Sequence, residues 1–255
     1  MRQNFYIATF DDDAIAVTKE YNLNIEFNHL CISENLDEDK IQGTIDEMKK
    51  DWQESEASKA IIHGPFTELC PASIDQRVVA IAFDRLNEAY FVCKKLGVER
   101  MVVHSGYLPL IYFKEWHEEK SVNFWKKFMA DKPEGFRIFI ENVFEDEPLM
   151  MKQMLDKIND SRIKVCLDIG HANAVMEEGL TVFDWIDTLG EHIGHFHIHN
   201  NFGKKDLHND ISNGSMDMIK IFETIKNKCD TDVTFTIESR DCRSSVEWLI
   251  ENKYI

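Results

Sequence analysis

Histidine, aspartate and glutamate recur where short apolar segments of this chain end. The motifs IIHGPF, VVHSG, FIEN, CLDIGH, GHFHIHN and TIES occur in this order, and DLH follows the fifth of them. Imidazole and carboxylate together suit zinc, manganese, cobalt or iron, whereas magnesium and calcium sites are richer in oxygen. Buried charges are costly without a partner, so side chains of these types converging on one place predict a divalent-metal site.

The segment GHFHIHN presents three histidines to one side of a strand. His195, His197 and His199 share a face because side chains alternate with a period of two along a strand. At most one or two of them can reach an ion at the end of the strand, because either His195 lies deeper or His199 lies too far into the following loop. Elsewhere an isolated histidine is more often structural, and we expect His29, His117 and His192 to be structural or surface residues.

Eight β-like segments alternate with helical ones and can position these residues. The strands are predicted at Asn4–Phe10, Asn24–His29, Ala60–Phe66, Met101–Gly106, Arg137–Asn142, Lys164–Gly170, Gly194–Asn200 and Thr234–Ser239. Most are near-continuous apolar runs, which is typical of parallel strands buried on both faces. Helical spacing is clearest over Asp75–Leu96, which ends at Gly97. Further helices are predicted at Glu38–Trp52, Lys114–Met129, Pro148–Ile158, Met216–Asn227 and Arg243–Asn252.

This alternation predicts a (β/α)8 TIM barrel that forms a single domain over residues 1–255. Reactive groups of such barrels lie at the carboxyl ends of the strands, so the motifs would share one rim. An open, doubly wound sheet is the alternative. That fold favours a glycine-rich phosphate loop after its first strand, whereas this chain has TFDDDAIAV there.

Composition restricts the classes of partner. The net charge is −17, with 46 acidic and 29 basic residues, and this field repels nucleic acid. The sequence has no run of 18 apolar residues and no signal-peptide pattern at MRQNFYIATF. Six cysteines without paired CxxC spacing are typical of reduced thiols. We therefore expect a cytoplasmic protein with a small-molecule substrate, with neither a nucleic acid nor a membrane as its partner; its oligomeric state is not predicted.

The motifs HGPF, VVHSG, IEN, LDIGHAN and HFHIHN followed by DLHNDISNG resemble the xylose isomerase-like TIM-barrel superfamily. That superfamily includes sugar and sugar-phosphate isomerases and epimerases, and the endonuclease IV type of apurinic-site nuclease (AP endonuclease family 2). The resemblance implies one to three divalent ions, zinc or manganese, per chain. It assigns one ion to His63, His104 and Glu141, and Glu141 would bridge to a second ion. It completes the second ion with Asp168, His197 and Glu238, and gives a third to His171, Asp206 and His208.

The chain departs from the nuclease branch at two places. An HLND-like motif of that branch reads HIHN here, with Asn200 at the final acidic position. An IGEG-like stretch reads ISNG through Gly214. The nuclease-type loop is therefore not reproduced, although every ligand type is retained.

Two activities are compatible with these ligands. The first is a metal-dependent isomerase or epimerase of a small sugar or sugar phosphate, in which the metal stabilises an enediolate. Glu141 and Glu238 would then exchange the carbon-bound proton, and His171 would help to bind substrate. The alternative is a multinuclear zinc phosphoester hydrolase in which Glu141 orients water. A barrel that binds metal without turnover is a third possibility.

The acidic surface favours the isomerase or epimerase. Candidate substrate contacts are Glu26, His29, Glu68 and Arg240, each of which could equally be solvated or salt-bridged.

Overall fold

The eight apolar segments pair side by side in chain order and close into a cylinder. The computed structural model describes residues 2–255. All neighbouring strands are parallel, and the first pairs with the last. The strands are β1 Phe5–Ala8, β2 Asn24–Phe27, β3 Ala60–His63, β4 Arg100–His104, β5 Arg137–Glu141, β6 Ile163–Asp168, β7 Ile193–Ile198 and β8 Thr234–Ile237. The predicted (β/α)8 barrel is confirmed.

Helices surround the barrel, and several are shorter than sequence periodicity can reveal. Within residues 2–255 they are α1 Ala14–Tyr21, α2 Ile41–Ser55, α3 Gln76–Leu96, α4 Lys114–Met129, α5 Leu149–Ile158, α6 Ile169–Val175, α7 Val182–Leu189, α8 Met218–Lys228 and α9 Cys242–Glu251. Helices α1, α6 and α7 were not predicted from the sequence, because helices of seven or eight residues complete only about two turns. No helix of this described part is long and apolar enough to cross a membrane.

Two apolar regions support the barrel. The larger lies between the strands and the helices, where both faces of each parallel strand are covered. The smaller lies inside the barrel and consists of Tyr6, Ile61, Val102, Phe139 and Cys166.

A ring of polar side chains lies directly above the inner apolar layer, towards the carboxyl ends of the strands. His63, His104, Glu141 and Asp168 each stand two residues after a member of the inner apolar cluster. Because side chains alternate with period two, these residues point to the same interior one layer nearer the carboxyl end. The pairing register places Glu141 beside His104 and Asp168 beside His197.

Candidate metal centre

The polar ring forms the floor of a cavity of about 740 Å³ at the carboxyl end of the barrel. This volume lies within the usual range of small-molecule sites. The cavity is lined by Phe10, Asn28, His29, Cys31, Ile32, Asn35, His63, Phe66, His104, Glu141, Val143, His171, Asp206, His208, Glu238 and Arg240. The rings of Phe10 and Phe66 form part of its walls and are 41% and 36% exposed.

Glu141 lies at the centre of the floor and is almost completely buried. Its Oε2 atom is 3.1 Å from Nε2 of His63 and 3.5 Å from Nε2 of His104. Its Oε1 atom is 3.2 Å from Nδ1 of His171 and 3.5 Å from Nδ1 of His197. One carboxylate therefore contacts histidines from four elements, as a bridging ligand would. The donor atoms of His63, His104 and Glu141 lie within 4.8 Å of one another.

A second group of donors joins Glu141 to Asp168, His197 and Glu238, again within 4.8 Å of one another. Nδ1 of His197 is 2.8 Å from Oε2 of Glu238 and 3.7 Å from Oδ2 of Asp168. Within residues 2–255, neither His197 Nδ1 nor Glu238 Oε2 has a hydrogen-bond partner, although both atoms are buried. Buried polar atoms without partners are costly, and two such atoms facing each other fit a shared cation.

A third group lies beside the second and consists of His171, His199, Asp206 and His208. Oδ2 of Asp206 is 3.3 Å from Nε2 of His171 and 2.8 Å from Nε2 of His208. Its Oδ1 atom is 3.7 Å from Nε2 of His199. The structure thus brings all nine predicted ligands together in three adjoining groups and adds His199 to them.

Main-chain carbonyls orient three of the histidines. Nδ1 of His63 is 3.0 Å from the carbonyl oxygen of the next residue, and Nδ1 of His171 is 3.0 Å from that of Asn142. Nδ1 of His208 is 2.8 Å from the carbonyl oxygen of Glu238. An imidazole that donates from one ring nitrogen presents the lone pair of the other, which is how metal-ligating histidines are usually held. Each of these three rings therefore presents Nε2 to the site.

Glu26, a predicted substrate contact, lies beneath the floor rather than in the cavity. Its side chain is 0% exposed, and it is not one of the described residues that line the cavity. Its carboxylate lies 3.0 Å from Nε2 of His197 and 3.2 Å from Nε2 of His195, and accepts a hydrogen bond from Thr236. Because Nε2 of His197 donates to Glu26, its Nδ1 is left for the cluster of Glu141, Asp168 and Glu238.

Hydrogen bonds to its backbone and its carboxylate fix the position of Asp168. The Asn142 side chain donates to the carbonyl of Asp168 and accepts its N–H, both at 2.9 Å. The Asp168 carboxylate also caps α6, where it accepts the N–H of His171 at 2.6 Å. The CLDIGH motif therefore folds into a strand end and a helix start that place Asp168 and His171 next to each other.

Neighbouring charges shift the pKa values of the site residues strongly. Burial would raise the pKa of Glu141, but the imidazoles of His197, His104 and His171 hold it well below its usual range. Burial would lower the pKa of His208, but Asp206 and neighbouring carboxylates raise it to about 9. Ionised carboxylates thus hold protons on nearby imidazoles. A divalent cation would take the place of these protons, and the donor set fits zinc or manganese.

The other predicted substrate contacts lie in different surroundings. His29 lines the cavity, and its Nε2 is 3.1 Å from Asp51. Arg240 also lines the cavity, where its backbone N–H donates to the carbonyl of His208 at 2.8 Å. Glu68 is exposed on the loop after β3, with a φ of 63°, and lies outside the described lining of this cavity.

The sequence left open whether His197 or His199 reaches the site. His199 is completely buried, and its Nε2 lies 3.1 Å from Oδ1 of Asp168. The signal was the alternation of His195, His197 and His199, which continues inward for one residue beyond the last residue of β7. Phe66, whose ring stacks on that of His104 at 4.0 Å, was missed.

Known proteins are similar to this chain in sequence or in fold. The uncharacterized protein MJ1311 of Methanocaldococcus jannaschii is 28% identical over 198 residues, which cover 73% of this chain and 66% of that protein. The chain thus spans about two thirds of the length of this relative. A D-tagatose 3-epimerase-like protein superposes with a TM-score of 0.77 at 22% identity, covering 99% of this chain and 97% of that one.

A D-allulose 3-epimerase from Methylomonas sp., solved in complex with D-allulose, superposes with a TM-score of 0.75 at 19% identity. That superposition covers 99% of this chain and 98% of the epimerase. At these identities the superpositions show the fold alone. The model of the xylose isomerase-like TIM barrel family matches residues 21–252, almost the whole barrel. The chain therefore belongs to the xylose isomerase-like TIM barrel family.

Proposed function

We propose that this protein is a metal-dependent isomerase or epimerase of a small sugar or sugar phosphate. The observation that carries the proposal is the donor group at the cavity floor. There Glu141 and Glu238, from β5 and the end of β8, lie with Asp168 and His197 within 4.8 Å of one another. Two carboxylates that share one centre beneath a cavity are suited to moving a proton between two faces of a substrate.

Glu141, Asp168, His197 and Glu238 would hold the principal ion. A divalent cation held there would supply Lewis acidity, which would lower the pKa of a carbon-bound proton next to a sugar carbonyl. Glu238 lines the cavity and would remove or return that proton from one side, while Glu141 would do so from the other. Loss of the proton gives an enediolate, and its return on the opposite face gives the epimer. His171, at the cavity wall, would bind a substrate hydroxyl.

The walls of the cavity support a small and weakly charged substrate. Phe10 and Phe66 expose ring surface on which the C–H face of a sugar can pack. Arg240 is the one cationic lysine or arginine among the described residues that line the cavity. A single guanidinium suits a substrate that carries one phosphate group or none. The net charge of −17 further favours such a substrate over a polyanion.

The comparisons support the same choice. Two of the similar folds are described as a D-tagatose 3-epimerase-like protein and a D-allulose 3-epimerase bound to its sugar. Zinc or manganese is the metal that we propose, since imidazole and carboxylate occur together in each of the three donor groups described above.

A phosphoester hydrolase is the second candidate, and one observation favours it. All nine ligands expected for a three-ion site are present and lie in adjoining groups. Metal clusters of this kind stabilise the attacking and leaving oxygens of a phosphate ester. The altered HIHN and ISNG segments and the acidic surface weigh against a nucleic-acid substrate.

The two candidates are separated by assaying the metal-loaded protein on both substrate classes. We expect it to convert a ketose such as D-allulose or D-tagatose to its epimer, and to leave bis(4-nitrophenyl) phosphate intact. Glu238→Gln and removal of metal by a chelator should each abolish conversion. His192→Gln, a change at a partly buried histidine that does not line the cavity, is the matched control. Cleavage of the phosphodiester without conversion of any ketose would favour the hydrolase and refute the proposal.

A further inference from the structure

The two segments at which this chain departs from the nuclease branch contact each other. HIHN ends at Asn200, shortly after β7, and ISNG covers residues 211–214 on the way to α8. Asn200 is 1% exposed, and its side chain lies against the ISNG segment. It is neither a predicted ligand nor one of the described residues that line the cavity. Its contact with the ISNG segment therefore has a role that the donor groups do not account for.

Both ends of the Asn200 amide form hydrogen bonds. Its Nδ2 donates to the carbonyl oxygen of Ile211 at 2.9 Å and to that of Met216 at 3.4 Å. Its Oδ1 accepts the N–H of Asn201 at 2.9 Å and that of Met216 at 3.3 Å. An ionised carboxylate at this position could accept but not donate, and it would face two carbonyl oxygens away from water. The position therefore requires an amide rather than an acid.

The ISNG segment fits closely around this amide. A Cβ atom at Gly214 would lie 2.0 Å from Oδ1 of Asn200 and 2.6 Å from the carbonyl oxygen of Asn201. Both distances are far below van der Waals contact, so only glycine lets the segment approach so closely. The next residue, Ser215, donates its N–H to the same carbonyl oxygen at 2.8 Å. Residues 200–201 and 211–216 thus form one hydrogen-bonded unit, which we call the asparagine clamp.

The asparagine clamp closes the loop that carries two predicted ligands. The backbone of Asn200 pairs with that of Asn209 in an antiparallel bridge, with N···O distances of 3.1 and 3.0 Å. This bridge joins the two ends of residues 201–208, which include Asp206 and His208. His208 directly precedes Asn209 and has a φ of 49°, a strained conformation that its surroundings must hold. A shift of Asn200 would therefore be passed to His208 through a single residue.

We propose that Asn200 is a positioning residue for the metal centre, and that its amide holds Asp206 and His208 at the cavity. The structure describes no helix or strand within residues 201–208. The position of Asp206 relative to His171, on α6, therefore depends on how this loop is attached to the barrel. The asparagine clamp supplies that attachment at the end of β7. The proposal does not depend on which reaction the metal centre performs.

The competing explanation is that Asn200 stabilises the whole barrel and not this loop in particular. Asn200→Asp keeps the size of the side chain and replaces its donor by an acceptor. Asn213→Asp is the matched control, because it adds the same charge to the ISNG segment at an exposed residue. Gly214→Ala disturbs the same contact from the other side and leaves Asn200 unchanged.

The first measurement is hydrogen–deuterium exchange of each full-length protein after removal of metal, followed by mass spectrometry of its peptides. We expect Asn200→Asp to speed exchange within residues 201–216 by about tenfold or more, because buried hydrogen bonds are lost there. Peptides from β3 to β6 should exchange as in wild type, and Asn213→Asp should match wild type throughout. Equal acceleration over the whole barrel, or none within residues 201–216, would overturn the proposal.

The second measurement is a titration of zinc against a competing chelator. We expect Asn200→Asp to weaken the same ion that Asp206→Asn weakens, by about tenfold, as residues that orient metal ligands do. Asn213→Asp should bind zinc as wild type does. Faster exchange in Asn200→Asp without a loss of zinc affinity, or with a loss at a different ion, would overturn the proposal. If Asn200→Asp does not fold, wild-type exchange and zinc affinity in Gly214→Ala would overturn it instead.

Discussion

Replacing Glu26 by glutamine should weaken metal binding although Glu26 is not itself in the cavity. Its carboxylate accepts from Nε2 of His197 at 3.0 Å and thereby leaves Nδ1 of that ring for the metal group. Glutamine preserves the shape of the side chain but removes its charge, and its amide can present N–H to the imidazole. Since Glu26 is 0% exposed, solvent does not replace the lost interaction.

The expected magnitude follows from the loss of a carboxylate that supports a ligating histidine. Such losses cost about 10–100-fold in metal affinity, which corresponds to roughly 1.4–2.7 kcal/mol at about 1.4 kcal/mol per factor of ten. The assay is a titration of zinc against a competing chelator, performed on wild type and Glu26→Gln. Only the ion held by His197 should bind more weakly, because the group of His171, Asp206 and His208 does not contact Glu26.

Thr236→Val is the matched control, since Thr236 donates a neutral hydrogen bond to the same carboxylate. A neutral hydrogen bond contributes about 0.5–1.5 kcal/mol, so this variant should lose at most about tenfold in affinity. Wild-type zinc affinity in Glu26→Gln would refute the role that we give to Glu26. Equal losses in the two variants would show that packing, rather than charge, supports His197.

Two further predictions concern stability. Burial lowers the pKa of His117 to about 4, so below the usual value of about 6.5 the unfolded chain takes up a proton that the native state does not. The free energy of unfolding should therefore fall as pH decreases from about 6.5 towards 4, by on the order of 2 kcal/mol between pH 7 and 5. In urea unfolding, His117→Gln should lose less stability over this pH range than wild type. An equal loss in both proteins would contradict this prediction. Gly170→Ala should lower the free energy of unfolding by about 1–3 kcal/mol through overpacking, because the new methyl group would clash with His199. An unchanged melting temperature would contradict this prediction.

Much of the architecture was predictable because it depends on local periodicity. Apolar runs that alternate with helical segments gave the barrel, and a polar residue two positions after an inward apolar one is placed at the rim by alternation alone. His63, His104, Glu141 and Asp168 all follow this rule. Short helices such as α6 and α7 do not show enough turns to be read from sequence.

The surroundings of Glu26 and His199 could not be predicted, because they depend on contacts between distant segments. The depth of Glu26 is set by the register of β2 in the closed barrel, where it meets histidines 169 and 171 positions away in the chain. The room for His199 is made by Gly170 in the first turn of α6. Local pattern identifies the residue types at such positions, whereas packing decides which of them reach the metal.

The most direct test of the proposed function follows the proton itself. The metal-loaded protein is incubated in deuterated water with a ketose that it converts, and the recovered sugars are analysed by NMR. We predict deuterium at the carbon next to the carbonyl in the epimer, and no conversion by Glu238→Gln. Conversion without any solvent deuterium, or wild-type turnover by Glu238→Gln, would contradict proton transfer by the carboxylates at the cavity floor.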